Sequence, residues 1–375
     1  MTVHTMSFEL DDDLVDVAKL ATSIFTDMAD PDRVKHIENH GGGYDAKLWS
    51  TLAAAGLLGI ALPEALGGAG LGMLGLISVL QAQGAAVAPV PIWSAIAGAA
   101  LPIAHFGTAE QQNQWLPGIL DGSRIVTAAH TTPVAATIDG HSWRLDGQLL
   151  AVPAAPVADA VVATVTLPGG RRRVAIVPLD RPGVRCTPIQ ATDRQSSAHI
   201  CFNGVQLHPE DLLGGEDCEV TMFAVRRCQV ALAGLQAGVC GHALALTAAY
   251  TSQRVQFGRP LSTNQAVAMR AADAYLDTEA IRLTAQRAAW LIDTGQHHPA
   301  NTAALVAKWW ASRAGLRVVH ATQHLHGGIG ADIDYPVHRY FLWGRQIAFS
   351  VGSAAAVAAE IGSLLPDAPP IGAPH

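Results

Sequence analysis

The chain has 375 residues, enough for two or three compact domains with sizeable cores. Half of the residues are hydrophobic and only 15% are charged, so much of the chain must be buried. A net charge of -7 leaves no basic footprint for a phosphate backbone and argues against nucleic-acid binding. Five cysteines (Cys186, Cys201, Cys218, Cys228 and Cys240) form no C-x-x-C pair and are odd in number. That spacing disfavours a zinc site or a disulfide framework and leads us to expect reduced, mostly buried thiols in a cytoplasmic protein. The N-terminus, acidic through Glu9-Leu10-Asp11-Asp12-Asp13, is the opposite of a secretory signal.

In chain order, residues 1–120 are predicted to be helical. Ala- and Leu-rich segments are separated by breakers at Pro63, Gly67-Gly68 and Pro89-Val90-Pro91. No charged residue lies between Ala65 and Ala109, but Gln81, Gln83, Pro89 and Pro91 interrupt the stretch. It therefore predicts two buried helices and no membrane span. Residues 121–214 predict a β domain, with turns expected at Asp146-Gly147 and Pro168-Gly169-Gly170. Residues 215–365 predict long helices in a four-helix bundle, and 366–375 a frayed tail. Helices, a small β domain and helices again make an α+β plan, without the βαβ alternation or Gly-x-Gly-x-x-Gly of a dinucleotide fold.

Three segments carry candidate chemistry. In Arg254-Val255-Gln256-Phe257-Gly258-Arg259-Pro260, a helix is expected to end at Gly258. Ser262 and Gln265 are expected to form a capping box for the next helix, leaving two guanidinium groups beside a helix N-terminus, where a diphosphate would bind. In Gln323-His324-Leu325-His326-Gly327-Gly328-Ile329-Gly330, the paired glycines would stop a helix and admit close approach of another molecule. His324 and His326 without a carboxylate cluster do not make a metal site. After Tyr335-Pro336 a new helix is expected at Val337, with His338 partly exposed in its first turn.

Taken together and in this order, these segments resemble the acyl-CoA dehydrogenase family, over nearly the whole chain. Gly56-Leu57-Leu58-Gly59-Ile60 through Gly70 looks like the family's N-terminal segment, and Phe106-Gly107-Thr108-Ala109-Glu110 its connector into the β domain. Arg254 to Pro260 matches its R-x-x-F-G-x-P flavin-phosphate loop, and Gly327-Gly328-Ile329-Gly330 its adenine-side glycine turn. The resemblance implies FAD as cofactor and an acyl-CoA as substrate, with Arg254, Phe257, Gln265, His324, Gly327 and Gly328 holding the adenine and pyrophosphate of a flavin shared across a subunit interface.

The resemblance also shows what is missing. A carboxylate must remove the α-proton of the thioester, because that C–H is a very weak acid. The two positions where family members keep this glutamate fall on Val351 and Cys228, so no catalytic base is assigned. The family's ring-side G-x-K-x-W-I-T-N stretch is Gly147-Gln148-Leu149-Leu150-Ala151-Val152-Pro153-Ala154, with Ala151 for the stacking Trp and Pro153 for the hydroxyl residue. Ala128-Ala129-His130-Thr131-Thr132-Pro133 also lacks the usual pattern. An intact trans-acting half beside a lost cis-acting half is similar to the non-catalytic subunits of α2β2 actinobacterial steroid side-chain dehydrogenases. This implies a catalytic acyl-CoA dehydrogenase subunit as partner. A self-sufficient flavin monooxygenase or oxidase, and a flavin-free acyl-CoA or protein-binding module, are the alternatives.

Overall fold

The computed structural model describes residues 11–140, 142–215 and 219–365. The acidic Met1–Leu10 segment, Cys218 and the Pro366–His375 tail lie outside the described residues. Helices α1 (Asp12–Met28), α2 (Pro31–His40), α3 (Ala46–Ala54), α4 (Gly72–Ala86), α5 (Leu101–Phe106) and α6 (Ala109–Leu120) come first, with a π-helical stretch, Trp93–Ala100, leading into α5. Their starts are chemically marked: Asp11, Asp30 and Asp45 each accept a backbone N–H at a helix start, and Thr108 with Gln111 forms a capping box for α6. The uncharged stretch becomes α4 and the Trp93–Phe106 segment, both mostly buried, as its composition predicts.

Strands β1 (Val126–Asp139), β2 (Ser142–Pro153), β3 (Ala160–Thr166), β4 (Arg172–Pro178), β5 (Val184–Gln190), β6 (Ser196–Leu207) and β7 (Leu212–Leu213) form one sheet in the order β5-β6-β2-β1-β3-β4-β7. All neighbours are antiparallel except β1 and β3. The expected turn at Pro168-Gly169-Gly170 joins β3 to β4. The one at Asp146-Gly147 does not form. These residues sit inside β2, at a bulge where the register with β6 slips between Leu145 and Gly147. Gly147 has φ 140°, and Asp146 accepts the Gly204 N–H at 2.8 Å. An Asp-Gly pair supplies the backbone freedom that a bulge needs as well as a hairpin does. The real hairpin closes beyond the Asp139↔Ser142 pair.

The C-terminal part holds α7 (Glu219–Gln253), a hairpin of β8 (Val255–Gln256) and β9 (Arg259–Pro260), then α8 (Gln265–Asp293), α9 (His297–His326), α10 (Val337–Phe349) and α11 (Ala354–Leu364). The architecture is the α+β plan expected. Two details of the Arg254 segment differ from expectation. Helix α7 ends at Gln253, five residues before Gly258, because the chain turns back on itself at Phe257-Gly258. Ser262 caps nothing: it lies in a 3-10 turn, and Asn264 stands at the N-cap of α8 without a side-chain capping bond. Helix α7 is long and apolar enough to cross a membrane by length and composition, but 72% of that window is packed inside the protein. Cys186, Cys201, Cys228 and Cys240 are free thiols, and only the latter two are buried.

Helices α4 and α7 join the N-terminal helices to the bundle by direct backbone contact. A Cβ on Gly84 would lie 2.2 Å from the Leu235 carbonyl oxygen, and one on Gly238 would lie 2.0 Å from that of Gln81. Gly234 repeats the pattern one turn earlier, with Ile77 at 2.8 Å. Larger side chains would force the helices apart through a core that is close-packed. Gly238→Ala should therefore lower the unfolding free energy by about 3 kcal/mol in urea titration. Gly241→Ala, three residues along with open space around it, should raise it by about 1 kcal/mol through helix propensity.

Candidate functional site

The seam sets α7 against the sheet and against the turn between α10 and α11, and a cavity of about 260 Å³ opens where they meet. It brings together Ala151, Pro153, Cys228 and Val351, four of the positions at which the sequence departs from the pattern it resembles, with Ala128 to Thr131 beside them. Cys228 is fully enclosed, and burial pushes its thiol up to about 12, against a smaller pull from Arg227. It is a neutral thiol and no base. Val351 has φ 53°, a left-handed conformation that a β-branched residue rarely adopts. The elbow is held from both sides. Gln229 Nε2 donates to the Val351 carbonyl at 3.3 Å, and Arg226 braces Gln229 at 3.0 Å while pairing with Glu360. Opposite, Lys308 Nζ donates to Ser312 Oγ at 2.6 Å and to the Ile347 carbonyl at 2.9 Å in the last turn of α10.

The strand wall of the cavity has spent its backbone hydrogen-bond donors. The Ala151 N–H, at φ 50°, donates to His199 Nδ1 at 3.0 Å, and the Ala154 N–H donates to the Ser196 carbonyl at 2.7 Å. Val152 pairs with Ala198 in the ladder, and Pro153 has no N–H. The backbone N–H groups of Ala151, Val152 and Ala154 are thus used within the chain.

Sequence reasoning gave no role to three residues in or behind the wall of this space. Asp193 is 8% exposed, and burial raises its carboxyl above the usual range, against the pull of the Gln195 N–H at 3.1 Å and Nε2 at 2.7 Å. Its presence means that the cavity is not free of carboxylates, but both oxygens are engaged by Gln195. His130 is pushed down to about 4 by burial, with Nε2 2.8 Å from the Gly98 carbonyl oxygen, and so stays neutral. His199 supplies the ring that caps Ala151. No local pattern announces any of them, because the loop and strands that carry them meet only in three dimensions.

A second region lies at the other end of α7. From Cys228 to Gln253 the helix rises about 38 Å. There a hollow of about 470 Å³ collects Arg254, His324, Gly327 and Gly328, with Tyr250 and Gln256 beside them. Among the described residues, the Arg254 guanidinium has no hydrogen-bond or ion-pair partner. Gly327 ends α9 with φ 65°, as expected of a helix stop. A Cβ on Gly328 would meet nothing within 4 Å, and its φ is ordinary, so the chain itself has no need of a glycine there. Phe257, at the hairpin tip with φ 55°, is 98% exposed. Gln265 opens α8 on the surface and does not line the hollow. His338 is not partly exposed as expected: it is 5% exposed because α10 packs its first turn inward, and its Nδ1 lies 2.7 Å from the Tyr335 carbonyl oxygen. Among the described residues, no group of three or more His, Cys, Asp or Glu could hold a metal ion.

Comparison with known proteins gives a consistent picture. Family models described as the N-terminal and C-terminal domains of acyl-CoA dehydrogenase match residues 13–123 and 218–362. Acyl-CoA dehydrogenase FadE27 of Mycobacterium tuberculosis is 35% identical over 97% of this chain and 100% of its own. Among solved structures, the ChsE4-ChsE5 complex from Mycobacterium tuberculosis superposes with a TM-score of 0.92 at 35% identity, covering 97% of this chain and 100% of that one. A variant of the Tcur3481-Tcur3483 steroid ACAD superposes at 0.88 with 42% identity, covering 95% and 98%.

The elbow gives a pH prediction. Burial lowers the Lys308 amine from 10.5 to about 7. Between those values the unfolded chain holds a proton that the folded chain does not, so stability rises with pH across this window, by at most about 1.4 kcal/mol per unit. Below about pH 7 both states are charged and the full burial cost is present. Lys308→Met, of similar volume, should flatten that rise when urea unfolding is compared at pH 7 and pH 10.

Proposed function

Because the chain belongs to the acyl-CoA dehydrogenase family, we propose that it is the non-catalytic subunit of a heteromeric FAD-dependent dehydrogenase acting on an acyl-CoA, with steroid side-chain thioesters as the substrate class. It clamps the adenine and pyrophosphate side of a flavin whose ring is held by a catalytic partner. One observation carries this: the cation-bearing, glycine-floored hollow is intact at one end of α7, while the cavity at the other end has neither a free base nor free backbone donors on its strand wall. About 38 Å of helix separates them, more than one flavin dinucleotide reaches, so the clamp serves a ring held elsewhere.

When bound, FAD supplies the hydride acceptor for α,β-desaturation. Arg254 offers a planar, permanently charged fork to the diphosphate, and the glycine turn offers backbone at close range. The exposed Phe257 ring, costly to leave in water, fits burial against a second subunit. The names of the ChsE4-ChsE5 complex and the Tcur3481-Tcur3483 steroid ACAD support both the heteromeric assembly and the substrate class.

Arg254→Ala should yield a complex that assembles but loses flavin on gel filtration. A hydrogen bond to a charged group contributes about 1.5–3 kcal/mol, or roughly tenfold to a few hundredfold in the FAD dissociation constant. Arg254→Lys should rescue only partly. Gly328→Ala should leave the melting temperature of the isolated chain unchanged while lowering the flavin-to-protein ratio of the complex. An unchanged flavin content in both variants would remove the clamp. Val351→Glu alone should not give the isolated chain acyl-CoA dehydrogenation with an artificial electron acceptor, because the ring-side wall remains altered.

A further inference from the structure

A further cavity, of about 310 Å³, shares no lining residue with either candidate site. It opens between the α1–α2 turn, the C-terminal end of α4, the middle of α7 and the first turn of α10. Its body is apolar, walled by Phe25, Val34, Ala82, Ala86, Val87 and Tyr340, and its volume is that of a small-molecule pocket. Tyr340 offers a ring face and no donor, because its hydroxyl is spent on the Ala85 carbonyl at 2.7 Å. Arg339 also lines this space, although it is only 3% exposed. Its Nε donates to both carboxylate oxygens of Glu38, at 3.1 and 3.0 Å, while Nη1 and Nη2 bond to no group among the described residues. Neither Nη atom is sealed inside packed atoms. The outer N–H groups of a planar fork are thus left without a partner in a deeply buried side chain, where polar groups seldom stay unpaired.

The charge balance calls for an anion. Glu38 is one carboxylate shared by two guanidinium groups, Arg339 and, at 3.8 Å, Arg194 from the turn between β5 and β6. Burial raises the neighbouring Asp193 carboxyl above the usual range and so favours its neutral form. Asp334 is paired with Lys35. One positive charge is left over. On the rim, Asp30 spends its Oδ1 on the N–H groups of Asp32 and Arg33 at the start of α2, whose positive end offsets its charge. A cation would meet the guanidinium head-on, and an uncharged apolar molecule would leave the fork unpaired. We infer that this cavity binds a small monocarboxylate with a compact apolar body, its carboxylate on the outer nitrogens of Arg339 and its body against Phe25, Ala86 and Tyr340. A carboxylate matches the planar fork in shape as well as in charge. Bound there, it would join the N-terminal helices to α7 and α10 and stabilise the folded chain by mass action.

The probe is para-tert-butylbenzoate, with para-tert-butylbenzyl alcohol, the same body without the charge, as control. Isothermal titration of the full-length chain should show a single site for the anion, and saturating anion should raise the melting temperature. The alcohol should bind about tenfold more weakly or worse, the value of a hydrogen bond to a charged group. Arg339→Lys keeps a counter-charge for Glu38 but loses the fork, so it should weaken the anion by about tenfold or more and leave the alcohol unchanged. Ala86→Phe, at the C-terminal end of α4, fills the cavity and should abolish binding of both. Should Arg339→Lys fail to fold, the two probes on the unaltered chain and Ala86→Phe still decide. Absence of anion binding overturns the inference and leaves water as the partner of the fork. Equal affinity for anion and alcohol overturns it too, as does anion binding indifferent to Arg339→Lys or to Ala86→Phe.

Discussion

Gly84 and Gly238 let α4 and α7 meet backbone to backbone, and the rest of the molecule is arranged around that contact. One continuous apolar core runs from α1 through this seam into α7, α8, α9 and α10, while the sheet keeps a core of its own. Were the two helices to stand apart by the width of a methyl group, the N-terminal helices would no longer brace α7 against the sheet. The cavity would lose its floor, since Cys228, Leu232 and Leu235 lie on the same helix within a turn or two of the seam.

The same helix also fixes the distance between the two candidate sites. A continuous helix from Glu219 to Gln253, buried along most of its middle, is a ruler that local sequence change cannot easily shorten. A change of residue type at one end therefore leaves the other end undisturbed. The hollow of Arg254 and Gly327-Gly328 depends on the ends of α7 and α9, and the cavity depends on the middle of α7 and the elbow. The elbow keeps a strained left-handed Val351 because Lys308, Gln229 and Arg226 tie the chain on either side of it. Strain kept at a position without a catalytic side chain is consistent with a backbone shape serving the cavity wall.

Much of this was readable along the chain because it is local. Alanine-rich periodicity, Pro and Gly punctuation and the Thr108–Gln111 pair mark helices wherever they stand, and Gly327-Gly328 stops a helix for reasons of backbone alone. Where one signal serves two structures, reading failed. Asp146-Gly147 makes a bulge as readily as a hairpin, and Ser262 and Gln265 have capping-box spacing, but the helix starts at Gln265 itself. His338 was misjudged because a first-turn residue faces inward or outward according to what the helix packs upon.

The sequence by itself determined the α+β order of elements, the place of the Arg254 loop and the glycine turn, and the absence of carboxylates at Val351 and Cys228. Each is a property of residue type and near-neighbour spacing. Only the tertiary structure decided that Ala151, Pro153, Cys228 and Val351 share one cavity, that His199 and Ser196 take the Ala151 and Ala154 N–H groups of its wall, and that Asp193 stands in it. Those facts depend on contacts between residues far apart in the chain, fixed by how closely two glycine-bearing helices approach.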